Sequence, residues 1–89
     1  MKSYKNEILS KICFTKLVYG RINKKLRLNF ADVEIEQFVL KIISETDEKH
    51  FRKIGKNIYI TNNDKNIRLT INSFTNRIIT TDDLKRLKK

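Results

Sequence analysis

Six side chains in the second half of the chain have the chemistry that contacts polyanions. They are Lys53, Lys56, Tyr59, Arg68, Thr70 and Arg77. An aromatic ring beside arginines suits single-stranded nucleic acid, because bases stack on the ring and phosphates pair with the cations. These residues are therefore our candidates for binding nucleic acid or a protein partner. The alternative is a solvated strand face, since tyrosine and threonine are favoured in β-strands.

Residues suited to catalysis or metal binding are few. His50 is the single histidine, and a general base needs a positioned partner that the surrounding sequence does not supply. One histidine and one cysteine are too few for a zinc site within one chain. Asp82 and Asp83 follow Thr81 as the first residues of a helix do. We therefore expect a protein that is not an enzyme, with no cofactor and no metal ligands.

The charge of the chain favours the same class of partner. Its 89 residues include 20 lysines and arginines against 10 acidic residues, which gives a net charge of +10. Such a charge attracts polyanions, and non-specific nucleic-acid binding is largely this effect. Residues 1–29 and 51–89 are basic, whereas residues 30–50 are acidic. A low-GC bacterial codon bias toward lysine, asparagine and isoleucine would explain the same charge without any function.

Helical spacing of apolar residues dominates the first half. Residues 4–27 form either one bent helix or two, with Thr15 as a cap for a second helix. Gly20 lies within this run and marks either a break or a close contact. Near its end lie Arg21, Lys24, Lys25 and Arg27. Their charges complement a helix dipole, which is the simpler explanation, and a grip on phosphates is the functional alternative.

The acidic segment contains the clearest amphipathic helix. Its apolar stripe consists of Ile35, Phe38, Val39, Ile42 and Ile43. The acidic helix 32–48 would dock a protein partner, or pair with the basic segments of a second copy in a homodimer.

After this helix, apolar residues alternate. Three strands are predicted within 51–81, around residues 58–61, 67–72 and 77–80, joined by turns rich in asparagine, glycine and serine. The inner face of the sheet should carry Ile58, Ile60, Ile67, Leu69 and Ile71. The outer face should carry Tyr59, Thr61, Arg68, Thr70, Asn72 and Arg77.

The predicted fold class is α+β, in a single domain over residues 1–89. Two or three N-terminal helices, within about 3–48, pack on a three-stranded antiparallel sheet, the β-meander of about 51–81. A short C-terminal helix follows at about 82–89.

The single cysteine and the lack of a long apolar run bear on location. Cys13 lies on the apolar stripe of the first segment, so we expect a buried, inert thiol. No apolar run approaches the ~18 residues of a membrane span, and no signal peptide is evident. A cytoplasmic protein without membrane contact is the expectation.

Two stretches resemble a known family. They are ICFTKLVYGRINKKL, residues 12–26, and KIGKNIYITNNDKNIRLTINSFTNRIIT, residues 53–80. Both resemble a family of short bacterial proteins known only as a domain of unknown function, and INSFTNRIIT is the most specific part. The resemblance implies a self-contained bacterial domain with α+β order. It implies no activity and no functional residues.

Charge and shape predict a small, basic, non-catalytic module that binds nucleic acid or a nucleic-acid–protein complex. One alternative is a phage-type inhibitor, such as an anti-CRISPR protein, that blocks a protein or ribonucleoprotein effector by direct contact. A second alternative is a small toxin-like ribonuclease, for which His50 would be the base.

Overall fold

The computed structural model describes residues 4–87 of the chain, with side chains through Lys85. In chain order its elements are α1 (Tyr4–Lys11), α2 (Lys16–Leu26), α3 (Asp32–Glu45), a 3-10 turn (Glu48–His50), β1 (Phe51–Ile54), β2 (Asn57–Asn62), β3 (Ile67–Asn72), β4 (Ile78–Asp83) and α4 (Leu84–Leu87). The first residue of the predicted helical part, residue 3, and the last two of the predicted C-terminal helix, residues 88–89, lie outside the described residues. Among the described residues, no helix is long and apolar enough to cross a membrane.

The strands form one antiparallel sheet in the order β1-β2-β3-β4. The α+β class is confirmed, but the predicted count of three strands is wrong, because Phe51–Ile54 pairs with β2 along its whole length. Gly55 and Lys56 alone join the two strands. Gly55 has a φ of +61°, and such positive φ values are what tight two-residue hairpins require.

Alternate residues of β2 and β3 form the floor of the core. The five predicted inner-face residues Ile58, Ile60, Ile67, Leu69 and Ile71 are all buried. The stripe of α3 belongs to the same cluster: Ile35, Val39, Ile42 and Ile43 are fully buried, and Phe38 packs at the margin. Phe51 from β1 and Ile78 from β4 extend the cluster to both edge strands. Full burial of each such side chain contributes about 1.5–3 kcal/mol.

The N-terminal segment contains two helices rather than one bent helix. Thr15 occupies the N-cap position of α2, although its hydroxyl makes no capping hydrogen bond. Between the helices, the N–H of Cys13 donates to the carbonyl of Asn76 at 2.7 Å, and its carbonyl accepts from the N–H of Ile78 at 3.0 Å. The sheet thus holds the backbone of Cys13. The predicted buried thiol is wrong, because the side chain of Cys13 is exposed.

Side-chain hydrogen bonds tie α2 to α3. The amide of Asn23 accepts from the N–H of Phe30 and donates to its carbonyl, both at 3.0 Å. The hydroxyl of Tyr19 donates to the carboxylate of Glu36 at 2.5 Å. Because the neutral phenol makes this bond, and because burial and the Glu36 charge disfavour a phenolate, the pKa of Tyr19 is raised from 10.0 to about 12.

A second polar link is buried where α3 meets the end of β2. The amide of Asn62 donates to the hydroxyl of Thr46 at 3.0 Å, and that hydroxyl donates to the carbonyl of Ile42 at 2.6 Å. The carbonyl oxygen of Asn62 accepts from the N–H of Lys65 at 2.9 Å. Both side chains are therefore satisfied despite their burial.

The end of the chain departs from the prediction. Asp82 and Asp83 were expected to begin a helix, but β4 continues through both of them in register with β3. The C-terminal helix of eight residues is therefore not confirmed, and within the described residues β4 is followed by the four-residue helix α4. A threonine followed by two aspartates is a local helix-start pattern, and strand pairing overrides it here.

Candidate nucleic-acid interface

The described helices leave one face of the sheet open. Cross-strand pairing sorts the side chains of this open face into three rows, since directly paired residues point to the same side. The first row contains Ile54, Asn57 and Asn72. The middle row contains Arg52, Tyr59, Thr70 and Thr80. The last row contains Thr61, Arg68 and Asp82. The structure thus brings five of the six predicted outer-face residues together: Tyr59, Thr61, Arg68, Thr70 and Asn72.

Tyr59 has an arginine on each of its two neighbouring strands. Arg52 is its direct cross-strand partner on β1 and is exposed. The guanidinium of Arg68, on β3, lies 5.8 Å from the centre of the ring. Such cation–π contacts contribute about 0.5–1 kcal/mol at exposed sites. The open face therefore holds an aromatic ring with an arginine on each of the two neighbouring strands.

Arg68 is also tied to an acidic residue. Its Nη2 lies 3.5 Å from one carboxylate oxygen of Asp82, and the other carboxylate oxygen lies 3.7 Å from Nζ of Lys25 on α2. The Nε of Arg68 is buried and has no hydrogen-bond partner among the described residues. Asp82 therefore neutralises part of the charge of Arg68, while no carboxylate among the described side chains pairs with Arg52.

The remaining predicted site residues on the strands differ in position. Thr70 lies between Tyr59 and Thr80 in the middle row, where only 6% of it is exposed. Lys53 is the cross-strand partner of Ile58 and therefore points to the opposite side of the sheet from Tyr59. Lys53 is thus separated from the open face.

Two predicted residues lie outside the strands. Lys56 occupies the turn between β1 and β2, and its carbonyl accepts hydrogen bonds from the N–H and hydroxyl of Ser73. Arg77 immediately precedes β4 and is exposed beside the start of α2, where it lines a shallow depression with Leu17 and Arg21. Arg77 therefore belongs with the charges of α2 more than with Tyr59.

Comparison with known proteins adds the family. Residues 6–82 match the model of a family described as a protein of unknown function, DUF3781. The chain belongs to this family. The expected resemblance to a domain of unknown function is confirmed. No curated protein and no solved structure matches the chain. The DUF3781 fold therefore has to be interpreted from its own residues.

Sequence reasoning missed Arg52 and Asp82 as members of the open face. Both were missed because the sequence did not show that β1 is a strand or that β4 continues past Thr81. With Gly55 and Lys56 recognised as a two-residue hairpin turn, Arg52 falls opposite Tyr59. Asp82 was assigned to a helix, and its place beside Arg68 depends on β4 continuing past Thr81.

The acidic helix of this DUF3781 chain offers little free charge. Glu34 accepts from the N–H of Ala31 at the start of α3, and Glu36 accepts from Tyr19. At the other end, Glu45 lies 3.7 Å from the ammonium group of Lys65. The carboxylates of α3 thus mostly serve contacts within the domain.

His50 lies beside a shallow polar depression of about 250 Å³ with Asp47, Lys49 and Asp64. The carboxylate of Asp47 accepts from the N–H of Lys49, and this bond holds its pKa below the usual value. Within the described part of the chain, no group of three acidic, histidine or cysteine side chains is arranged to hold a metal ion. Among the described residues, no side chain hydrogen-bonds to the imidazole of His50.

Proposed function

We propose that the protein binds nucleic acid, alone or within a ribonucleoprotein, through the open face of its sheet and without catalysis. The observation that supports this most directly is the position of Tyr59 between Arg52 and Arg68. Antiparallel sheets that present aromatic rings and cations are established platforms for unpaired bases.

Each group has a defined task in this proposal. A base stacks on the ring of Tyr59, and stacking of this kind contributes about 1–3 kcal/mol per base. Arg52 pairs with a phosphate, since no carboxylate among the described side chains neutralises it. Asn57, Asn72 and Thr61 of the outer rows supply hydrogen bonds to sugar and phosphate. The net charge of +10 increases the rate of encounter.

Fluorescence anisotropy with labelled oligothymidylate and oligouridylate tests the proposal. Tyr59→Ala should weaken binding by about 5- to 150-fold, which corresponds to loss of one stacked base. Tyr59→Phe is the matched control, because it retains the ring and should retain most of the affinity. If the alanine and phenylalanine variants bind equally well, the open face is not the binding surface.

Arg52 has a similar control on its own strand. Arg52→Gln should weaken binding and reduce its salt dependence, whereas Lys53→Gln removes the same charge from the opposite side of the sheet. Equal losses from the two substitutions would indicate a general charge effect instead of a site.

The exposed apolar residues at one end of the sheet favour a second candidate function. Ile54 is 57% exposed in the first row, and Phe74 is 76% exposed in the turn after β3. Large apolar side chains beside cations are typical of protein contacts. They suit an inhibitor of the phage type, which would occupy a protein or ribonucleoprotein effector by contact. In this case Ile54→Ser with Phe74→Ser should abolish effector binding and leave oligonucleotide affinity unchanged.

A further inference from the structure

The helix α2 presents a second basic surface to solvent. Its outward side, which we call the α2 stripe, consists of Leu17, Gly20, Arg21, Lys24 and Lys25. The eleven residues of α2 include four cations and no acidic residue. Leu17 lies at the N-terminal end of the stripe and is 80% exposed, so the described chain leaves its side chain largely uncovered.

The helix dipole explains only part of this charge. Lys24 and Lys25 lie in the last turn of α2, where cations complement the dipole. Arg21 lies mid-helix, where the dipole effect has largely vanished. Its Nη1 donates instead to the carbonyl of Ile79 on β4 at 3.4 Å. The stripe is therefore anchored along the edge of the sheet.

Asp82 joins the α2 stripe to the open face. One of its carboxylate oxygens lies 3.7 Å from Lys25 on α2, and the other lies 3.5 Å from Arg68 on β3. Both cations are thus neighbours across a single carboxylate at the edge of β4. Arg52 and Arg68 on the sheet and Lys25 and Lys24 on the helix thus form two groups of cations, and the carboxylate of Asp82 lies between Arg68 and Lys25.

We propose that a single-stranded nucleic acid crosses the open face, passes over the edge of β4 and continues along the α2 stripe, where Arg21, Lys24 and Lys25 hold its phosphates. This inference rests on the proposed function and specifies its ligand. Only an unpaired strand exposes a base to Tyr59. Only a flexible strand follows the bend from sheet to helix, because a duplex stays stiff over about 150 base pairs.

Gly20 gives independent support. A glycine within a helix is unfavourable, and a Cβ atom built at Gly20 meets no other atom within 4 Å. Internal packing therefore does not require a glycine here. A nucleic-acid strand lying on the α2 stripe explains the glycine, since the missing side chain lets the sugar–phosphate backbone approach the helix. Gly20→Ala should raise the melting temperature and at the same time weaken binding of long oligonucleotides.

The test compares two oligothymidylates, of about 4 and about 12 nucleotides, the ends of the usual range for one small binding domain. Tyr59→Ala should weaken both. Lys24→Gln with Lys25→Gln should weaken only the longer one, by about tenfold or more. For the longer oligonucleotide, the slope of log affinity against log salt should become shallower by about 1.4 in this variant, which is ~0.7 for each of the two lost phosphate contacts. Lys41→Gln with Lys49→Gln removes the same charge from exposed positions elsewhere and should change the slope little.

The outcomes separate the two proposals. If Tyr59→Ala weakens binding but the Lys24 and Lys25 variant retains full affinity for the longer strand, the path over α2 is wrong and the proposed function stands. If a duplex of the same length binds as tightly as the single strand, the assignment of the ligand is wrong. If wild-type protein binds neither oligonucleotide in low salt, both proposals fail.

Discussion

The two faces of the sheet are built from the same strands and differ in almost every physical respect. On the inner face, Ile60 and Leu69 pair across β2 and β3 and are completely buried under α3. In the adjacent cross-strand pair, Tyr59 and Thr70 lie on the open face, and the aromatic ring is only partly covered. The inner face holds the fold together, and the open face is available for binding.

The buried polar groups of the sheet differ in how fully they are hydrogen-bonded. Asn62, on the inner face, has partners for its amide nitrogen and its amide oxygen. On the open face, the side-chain oxygen of Asn57 and the Nε of Arg68 are covered yet have no partner among the described residues. Unpaired polar atoms cost free energy in the free protein. The hydroxyl of Thr81, which pairs with Leu69 on the inner face, is also buried without a partner among the described residues, so such atoms occur on both faces.

The largest expected effect comes from a charge on the inner face. Ile42→Asp places a carboxylate in the fully buried cluster beneath the sheet, whose members are all apolar. We expect the cooperative thermal transition to disappear, as measured by circular dichroism. Thr61→Asp introduces the same side chain on the open face, next to Arg68, and should change the free energy of unfolding by less than about 0.5 kcal/mol. Two equally destabilised proteins would contradict the division between the faces.

A smaller effect on the free energy of unfolding is expected when two asparagines of β2 are each replaced by alanine. Asn62→Ala removes the buried link to Thr46 and should lower the free energy of unfolding by about 1–3 kcal/mol in urea denaturation. Asn57→Ala, at the other end of the same strand, removes an oxygen that has no partner among the described residues. It should cost less than about 0.5 kcal/mol. The comparison fails if the Asn57 variant is the less stable of the two.

The sequence predicted the inner face better than the open face for a physical reason. Burial repeats every second residue in a strand and at helical spacing in α3, so Ile58, Leu69 and Ile42 were identified by pattern alone. The strand number depended on a two-residue turn at Gly55, and the exposure of Cys13 depended on where α1 ends. Neither a two-residue turn nor the end of a helix is marked by a repeating pattern of apolar residues.

The open face needed the pairing register, which lies beyond any local pattern. Tyr59 and Arg68 were expected on one side, but the placement of Arg52 opposite the ring required β1 to be a strand. The link from Arg68 through Asp82 to Lys25 joins three elements far apart in sequence. Long-range contacts of this kind follow from the fold, and only the structure shows that two basic surfaces meet at one carboxylate.

The smallest expected effect is a change in stability with pH. It comes from the hydroxyl of Tyr19 in the helical layer, and Tyr59 on the open face is the control. The bond from Tyr19 to Glu36, within the helical layer, raises the pKa of Tyr19 to about 12. Below pH 10 the folded and unfolded chains both keep this proton, so the bond contributes fully to stability. Between pH 10 and 12 the unfolded chain releases the proton first, and the free energy of unfolding should fall as pH rises.

Absorbance titration of the phenolates measures this directly. Wild-type protein should show a step near pH 12 that is absent from Tyr19→Phe and present in Tyr59→Phe, because the hydroxyl of Tyr19 bonds to the carboxylate of Glu36. Glu36→Gln keeps a hydrogen-bond acceptor but removes the charge, so the step should move toward pH 10. A step near pH 12 that persists in Tyr19→Phe would mean that the helical layer does not hold this hydroxyl as the structure describes.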